Sequence, residues 1–549
     1  MSIAHTERSR DHSNLIQCLI TVALALLFVP LLSAQTNAGT GSQIPRIRAT
    51  GRVVNSLTGE AISRALVMIE GRAQRVTFTD SEGNFTFDDL WSVPLVFHAR
   101  KPGFLEDNQT VITPHAGESI TLKLNPSALI VGQVATDDGE PIESASIELL
   151  GQRVVDGRKQ WTRMGNASTD EDGRFRLPNL RPGKYLISVG PFSNQALGQE
   201  ATGFPTTYYP NAPDRNSATP VQIGYGQQVE ANFSLTAVPV YTVMGTVVGQ
   251  LDHSLGVTIR DSSGQNVGLG AAFNRTTGQF RIMGVPRGTY TLQVDSYSPS
   301  EDSLTGRVTI TVTASQSGIV IPLHPTIKIP VEVRREDVRV SAPPEQKVDQ
   351  GIVITTGQFG RRQFTDPGVR IRAVPTGSDG QENAAWGEPD QQGRIFLRRM
   401  APGSYRILAT AVADYYVHSV QSGGVNLLSE PLVISESGTV QPIEVVLRND
   451  TAKIKGTVRG ATSSGALIAI PSGNDVQSPA FGNYSEDGHC YFPPLAPGTY
   501  KVYAFDRGTE EIEYANPDAL EEYDSKSAQV TLSPNQTGEV TLDVIKVTQ

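Results

Sequence analysis

A short motif that recurs five times constrains the fold of this chain more than any other feature. Each copy starts with glycine and continues with residues that alternate between two faces of a strand; we call it the Gly motif. The copies are Gly83-Asn84-Phe85-Thr86-Phe87, Gly173-Arg174-Phe175-Arg176-Leu177, Gly278-Gln279-Phe280-Arg281-Ile282, Gly393-Arg394-Ile395-Phe396-Leu397 and Gly488-His489-Cys490-Tyr491-Phe492. Successive glycines lie 90, 105, 115 and 95 residues apart. This period fits a whole domain and is too long for a solenoid repeat, so it predicts about five tandem domains.

The residues around the Gly motif predict turns and half-buried strands. Asp and Gly ahead of it, as in Thr169-Asp170-Glu171-Asp172-Gly173, favour a turn with a residue at positive φ. In the strand that follows, we expect Phe175 and Leu177 to point inward and the arginines between them outward. A second motif, which we call the Pro-Gly motif, follows in the last four copies. Its copies are Arg181-Pro182-Gly183-Lys184-Tyr185, Pro286-Arg287-Gly288-Thr289-Tyr290, Ala401-Pro402-Gly403-Ser404-Tyr405 and Ala496-Pro497-Gly498-Thr499-Tyr500.

An opening strand with Gly and Val precedes four of the five Gly motifs. The four are Gly51-Arg52-Val53-Val54, Gly132-Gln133-Val134, Gly245-Thr246-Val247-Val248 and Gly456-Thr457-Val458. The fourth copy has no clean opening strand, and we interpret residues 326–368 as an insertion or a diverged first half. With 52 Gly and 35 Pro in 549 residues, the chain suits many short strands joined by tight turns. The sequence predicts an all-β protein with one short helix, at 516–523.

The first two copies resemble the carboxypeptidase regulatory-like domain, a transthyretin-like (prealbumin-like) Greek-key β-sandwich. Copy one matches through Gly51-Arg52-Val53-Val54, Thr58-Gly59-Glu60-Ala61-Ile62 and Thr79-Asp80-Ser81-Glu82-Gly83. Copy two matches from Gly132-Gln133-Val134 through Pro141-Ile142-Glu143-Ser144-Ala145 to Gly183-Lys184-Tyr185. Copies three and five resemble the family mainly at their ends, and copy four only through its second half. The resemblance implies a domain that lacks the carboxypeptidase active site, and a similarity to starch-binding-like sandwiches that implies carbohydrate binding.

These repeats predict the following organisation. A signal peptide at 1–34 and a linker at 35–45 precede β-sandwiches at 46–126, 127–237, 238–324, 325–448 (diverged) and 449–549.

The first 34 residues have the features of an export signal. Leu15 to Leu32 is almost wholly apolar, and Leu32-Ser33-Ala34 is a small-residue site after which cleavage is expected. The alternative is an uncleaved membrane anchor, for which this stretch is short. No later segment could cross a membrane as a helix, so we predict a periplasmic, outer-surface or extracellular protein. The net charge of −10 argues against nucleic acid as a partner.

The sequence favours no metal site, no cofactor and no enzyme activity. His115-Ala116-Gly117-Glu118 has the spacing of zinc ligands, but it lies in a polar connection without a catalytic domain around it. Asp170-Glu171-Asp172-Gly173 resembles the start of a calcium loop, yet it continues as a strand. Cys490 is interpreted as a small apolar residue in a strand.

Exposed aromatic rings are the candidate binding residues, because sugar rings present apolar C–H faces. The candidates are Trp161, Trp386, Tyr208, Tyr209, Tyr415 and Tyr416. The alternative for each is packing on a core or between domains; in each tyrosine pair we expect one ring to face inward. Three functions stay open at this point: a binding module for polysaccharide, a structural or adhesive spacer that contacts cell-envelope proteins, and, less favoured, a hydrolase.

Overall fold

The computed structural model describes residues 46–547, except 71–73, 107–108, 195–200, 252–254, 263, 297–302, 339–367, 377–383, 391, 413, 436–437 and 473–477. The predicted signal peptide and linker therefore lie outside the described residues. The regular secondary structure of the described chain is almost entirely β-strand, which confirms the all-β prediction. None of its helices has the length and apolar character needed to cross a bilayer. We group the strands into units 1 to 5 in chain order; the division into five domains at the boundaries given above stays a prediction.

Unit 1 has a three-stranded sheet, β4-β1-β7, and a four-stranded sheet, β3-β2-β5-β6. Its strands are β1 (Arg46–Asn55), β2 (Leu66–Glu70), β3 (Arg75–Phe78), β4 (Asn84–Trp91), β5 (Leu95–Arg100), β6 (Gln109–Ile112) and β7 (Ser119–Leu124). β1 runs antiparallel to β4 and parallel to β7.

Unit 2 repeats this plan, and its second and third strands are longer than those of unit 1. Its strands are β8 (Ala128–Thr136), β9 (Ser146–Val155), β10 (Arg158–Ser168), β11 (Arg174–Leu180), β12 (Gly183–Val189), β13 (Phe192–Asn194), β14 (Thr202–Phe204), β15 (Thr207–Tyr208), β16 (Val221–Ile223), β17 (Gln228–Glu230) and β18 (Phe233–Leu235). One sheet has the order β11-β8-β17, with β18 also on β8. The other has the order β10-β9-β12-β15, with β16 also on β12.

Unit 3 shares a sheet with unit 2, because β14 pairs with β19 in the order β13-β14-β19-β22-β21. The strands of unit 3 are β19 (Val238–Val248), β20 (Leu255–Arg260), β21 (Ala271–Phe273), β22 (Gln279–Pro286), β23 (Gly288–Ser296), β24 (Leu304–Val312), β25 (Gln316–Pro322) and β26 (His324–Pro325). Its second sheet has the order β20-β23-β24-β26.

Unit 4 forms a single nine-stranded sheet, β33-β32-β35-β27-β30-β29-β28-β31-β34. Its strands are β27 (Ile327–Glu336), β28 (Val369–Pro375), β29 (Ala385–Pro389), β30 (Ile395–Met400), β31 (Gly403–Ala411), β32 (Tyr416–Ser422), β33 (Val425–Asn426), β34 (Leu432–Ile434) and β35 (Ile443–Arg448).

Unit 5 has the sheets β36-β42 and β39-β38-β37-β40-β41. Its strands are β36 (Lys453–Arg459), β37 (Gly465–Pro471), β38 (Ala480–Tyr484), β39 (Cys490–Tyr491), β40 (Gly498–Phe505), β41 (Ala528–Leu532) and β42 (Thr537–Asp543). The predicted helix is present as α1 (Pro517–Glu521), preceded by Asn516, between 3-10 turns at Thr509–Glu511 and Asp524–Lys526.

The turn predicted at the Gly motif is confirmed. All five motif glycines have φ between 71° and 82°, where a side chain would be strained. Ahead of the glycine, Asp170 accepts hydrogen bonds from the backbone N–H groups of Asp172 (3.1 Å) and Arg174 (2.7 Å). Its carboxylate therefore closes a turn. The alternation is confirmed as well: Phe175 and Leu177 are buried and Arg174 is exposed.

The opening glycine is explained by the aromatic ring of its own Gly motif. A Cβ on Gly132 would lie 2.6 Å from the Phe175 ring and 2.0 Å from the carbonyl oxygen of Ala231. Gly51 and Gly245 are equally crowded by Phe85 and Phe280. A residue without a side chain thus lets the ring pack flat on the strand.

In the fourth copy, where the sequence shows no clean opening strand, β27 takes that place, which favours a diverged first half over an insertion. Val331 on β27 pairs with Ile395, where Gly51 pairs with Phe85 in unit 1. Exchanging glycine plus phenylalanine for valine plus isoleucine keeps the same number of side-chain carbon atoms at this pair. The exchange also removes the glycine by which the sequence pattern was recognised.

Candidate functional site

The site forms on the outer face of the sheet β10-β9-β12-β15. Ile147, Leu149 and Ile187 point into the core of unit 2. Because successive side chains of a strand point to opposite faces, Glu148 and Leu150 point away from that core.

The outer face carries an apolar cluster of its own. Leu150, Leu186, Tyr208 and Ala212 are buried together, and the half-buried Trp161 packs against them. The segment 208–212 is fixed over the sheet by two backbone hydrogen bonds, 2.7 Å and 2.6 Å long, exchanged between Tyr208 and Ala212.

A cleft of about 830 Å³ opens beside this cluster, and we call it the central cleft. Trp161 and Tyr208 of unit 2 line it. Its other walls are residues 265–268 of unit 3 and residues Thr509, Glu510 and Tyr514 of unit 5. Three units distant in sequence thus enclose one space.

Two hydrogen bonds hold unit 3 against unit 2 at the cleft. The hydroxyl of Thr206 donates to the carbonyl oxygen of Val267 (3.1 Å), and the guanidinium of Arg215 donates to the side-chain oxygen of Gln265 (2.9 Å). Burial raises the pKa of Tyr208, although the neighbouring Arg215 opposes this shift. The Tyr208 phenol therefore stays neutral and can donate a hydrogen bond at neutral pH.

The turn between β9 and β10 reaches units 4 and 5; we call residues 155–159 the hairpin tip. The carbonyl oxygen of Gly157 accepts a hydrogen bond from the N–H of Ala515 (3.0 Å). Asp156 forms an ion pair with Arg372 of unit 4, and Lys159 forms one with Glu513 of unit 5. The hairpin tip thereby holds the unit 5 wall of the central cleft in place.

The chemistry of the central cleft suits a polar ligand with an apolar face. Glu148 and Arg163 form an ion pair of 3.3 Å beside Trp161. Gln265 and Asn266 add side-chain amides, which both donate and accept hydrogen bonds. Across the described ranges, no cluster of three or more His, Cys, Asp or Glu side chains is arranged to hold a metal ion.

Of the six predicted site residues, the structure brings only Trp161 and Tyr208 together. Trp386 on β29 is 53% exposed, and the guanidinium of Arg372 lies 5.4 Å from its ring centroid. Tyr209 packs edge-on against Phe233 in the core of unit 2, with ring centroids 5.9 Å apart.

The remaining two candidates make hydrogen bonds within unit 4 and to the chain that follows it. The Tyr415 hydroxyl donates to Asp337 (2.8 Å), and the buried Tyr416 hydroxyl donates to Asp450 (3.1 Å). Burial and the neighbouring Asp450 carboxylate raise the pKa of Tyr416 to about 12. These contacts give both tyrosines a structural role.

Sequence reasoning missed the polar residues of the central cleft. Glu148 could have been found, because it alternates with the buried Ile147 and Leu149 on a long strand. Gln265, Asn266 and Tyr514 carried no signal, since each lies in a different unit from Trp161 and in an ordinary loop.

Comparison with known proteins supports the fold of the first two units. The model of the carboxypeptidase regulatory-like domain matches residues 48–125 and 130–236. A search of curated proteins returned no match.

Three solved structures with partial similarity come from bacteria. The Bacillus anthracis TIE protein is 14% identical, with 51% of each chain covered and a TM-score of 0.16. The minor pilin GBS52 of Streptococcus agalactiae is 15% identical over 35% of this chain and 97% of its own, with a TM-score of 0.20. The major pilin BcpA of Bacillus cereus is 10% identical over 51% of this chain and all of its own (100%), with a TM-score of 0.15. The chain spans about half the length of the Bacillus anthracis protein, and similarity this low carries no argument about function.

The two matched segments coincide with units 1 and 2, and both contain the motif turn and the opening glycine described above. Two segments of the chain, together about a third of its length, therefore match the carboxypeptidase regulatory-like domain.

Proposed function

We propose that this chain is an exported, non-catalytic binding protein and that its central cleft binds carbohydrate at the cell envelope. The observation that carries the proposal is the meeting of Trp161 and Tyr208 in a cleft that also holds amide and charged side chains. An aromatic platform flanked by hydrogen-bonding groups fits a sugar ring, which has an apolar face and hydroxyl groups at its edge.

Export rests on the sequence alone. The apolar stretch from Leu15 to Leu32 and the small-residue site at Ala34 support it. The location that follows is the periplasm, the outer surface or the extracellular space.

The test is binding of the purified chain 35–549 to a polysaccharide and glycan array, with Trp161→Ala and Trp386→Ala beside the parent. We expect Trp161→Ala to weaken binding by about tenfold or more, since it removes the aromatic contact in the cleft. Trp386→Ala is the matched control, because it deletes a more exposed tryptophan outside the cleft.

Three other outcomes are informative. Loss of binding in Trp386→Ala alone would move the site to unit 4. Binding that survives both substitutions would remove the central cleft from the proposal. An array without any bound glycan would reject carbohydrate binding.

A structural or adhesive role is the second candidate, and the contacts of the hairpin tip favour it. Ion pairs from Asp156 and Lys159 tie unit 2 to units 4 and 5, as expected for a scaffold that holds a fixed shape. A pull-down of cell-envelope proteins with the purified chain tests this role; a specific protein partner together with a silent glycan array would favour it.

A further inference from the structure

A second cleft of about 690 Å³ lies at the seam between units 2 and 3, and we call it the side cleft. Three tyrosines line it: Tyr208, Tyr241 and Tyr290. Tyr208 and Tyr290 are buried, whereas Tyr241 on β19 is half-buried. Tyr241 is therefore the aromatic ring of the side cleft that keeps exposed surface for a ligand. The half-buried Trp161 has the same role in the central cleft.

The two clefts adjoin each other at the seam. Six residues line both of them: Thr206, Tyr208, Arg215, Gln265, Asn266 and Val267. The hydrogen bonds from Thr206 to Val267 and from Arg215 to Gln265 cross the seam at this shared wall. A ligand that extends beyond one cleft therefore meets the shared wall and then the other cleft.

The side cleft also presents oriented polar groups. Asp214 accepts hydrogen bonds from the backbone N–H groups of Asn216 (2.9 Å) and Ser217 (3.0 Å), which lower its pKa and keep it ionised. Asp261 is fixed in the same way by the N–H of Gln265 (3.0 Å). Arg287 lies exposed at this cleft. The side cleft thus combines carboxylate acceptors in fixed positions with a tyrosine ring, which is the same kind of chemistry as in the central cleft.

We infer that the two clefts are consecutive subsites for one linear oligosaccharide chain that crosses the seam between units 2 and 3, with Trp161 and Tyr241 as its two platforms. This inference rests on the proposed function and specifies it: the ligand is an extended glycan, and a single sugar or a disaccharide fills only part of the site. Binding across a seam also fixes unit 2 relative to unit 3.

The test is calorimetric titration of the chain 35–549 with ladders of linear oligosaccharides. The first probes are cellobiose to cellohexaose and maltose to maltohexaose, followed by a ladder cut from any polysaccharide that the array identifies. We expect the longest members to bind at least about tenfold more tightly than the disaccharide.

The variants Tyr241→Leu and Arg287→Ala separate the subsites. Leucine keeps apolar packing against the core of unit 3, and Arg287 is exposed, so the second variant tests the cleft even if the first unfolds. Both are expected to remove most of the gain in affinity with chain length. Tyr491→Leu is the matched control, because it removes a tyrosine that is 57% exposed on unit 5, outside both clefts.

The outcomes distinguish the two levels of the proposal. Equal affinity for short and long members, or a length effect that persists in both variants, would overturn the extended site and leave carbohydrate binding in place. Failure of every ladder to bind would overturn the proposed function together with this inference.

Discussion

Units 1 and 2 match the same family and have the same sheet plan, yet the outer faces of their equivalent sheets differ. In unit 1, β2 and β3 have 5 and 4 residues, and Val76 and Phe78 on that outer face are 57% and 67% exposed. In unit 2, β9 and β10 have 10 and 11 residues, and Leu150 on that face is 4% exposed.

The difference shows how one fold gains a site. A longer hairpin extends the sheet toward units 4 and 5, and the chain after β12 folds back so that Tyr208 and Ala212 cover the outer face. The inner core is alike in both units. The proposed binding site therefore depends on what the hairpin and the connection add outside that core.

The largest expected effect is that of Leu150→Ala, which empties the centre of the outer cluster. Because a buried leucine is truncated, we expect unit 2 to lose about 3 kcal/mol of unfolding free energy. Hydrogen exchange of the β9 and β12 segments measures the loss. Val76→Ala on the outer face of unit 1 is the control and should cost about 0.5 kcal/mol or less. Equal costs for both variants would mean that the two faces do not differ in burial.

The next effect is that of Asp156→Asn at the hairpin tip. Asp156 sits at φ 49°, which asparagine tolerates, so the substitution removes charge with little backbone strain. Burial and the positive charges of Arg158 and Arg372 already lower the pKa of Arg406. The substitution would remove the negative charge that lies among these arginines. We expect contact of the tip with units 4 and 5 to weaken by about 2 kcal/mol, discounted because the pair is partly exposed.

Small-angle scattering and hydrogen exchange at residues 155–159 measure how far the hairpin tip separates from units 4 and 5. Asp172→Asn is its control, since Asp172 pairs with Arg174 on the exposed surface of the same unit. An unchanged radius of gyration and unchanged exchange would show that the ion pair does not hold the hairpin tip against units 4 and 5.

Alkaline pH should destabilise unit 2 more than unit 1, by less than the two substitutions described above. Burial raises the pKa of Tyr185 and Tyr208 in unit 2, whereas residues 46–126 contain no tyrosine. A phenol whose folded pKa is raised stabilises the fold fully below its unfolded value of about 10. That stabilisation is lost as the pH rises further.

Urea unfolding at pH about 9 and about 11 checks this, in variants that keep only Trp91 or only Trp161 as the fluorescent reporter. Unit 2 should lose more stability than unit 1. A larger loss in unit 1 would mean that tyrosine ionisation does not govern the difference.

The smallest effect is expected for Phe78→Ser. The ring is 67% exposed on the uncovered face of unit 1, so the unfolding free energy should change by about 0.5 kcal/mol or less. Solubility should rise, because an exposed apolar side chain is removed. A loss of several kcal/mol would show that something covers this face after all.

Much of the fold could be predicted because its signals are local. The positive φ at Gly173, the inward direction of Phe175 and the short helix after Asn516 depend on neighbours within a few residues. The fourth opening strand was missed because Val331 and Ile395 replace the glycine and the aromatic residue as a pair. A motif search treats the loss of the glycine and the loss of the aromatic residue as two separate mismatches. In the packed structure they are one exchange, because the larger residue on one strand compensates for the smaller residue on the other.

For the candidate site, residue type indicated Trp161 and Trp386 equally. The structure separates them, since Trp161 lines the central cleft while Trp386 lies beside Arg372 outside it.

The turn at each Gly motif and the inward-facing residues of the strand after it followed from the sequence, because a period of two residues and a glycine at positive φ are properties of the local chain. Only the tertiary structure decided what covers the opposite face of a strand. Asp156 and Arg372 are 216 residues apart, and alternation assigns each to a face without saying that the faces meet. Such distant contacts form the two clefts, the seam between units 2 and 3, and the contacts of the hairpin tip with units 4 and 5. No local sequence pattern encodes them.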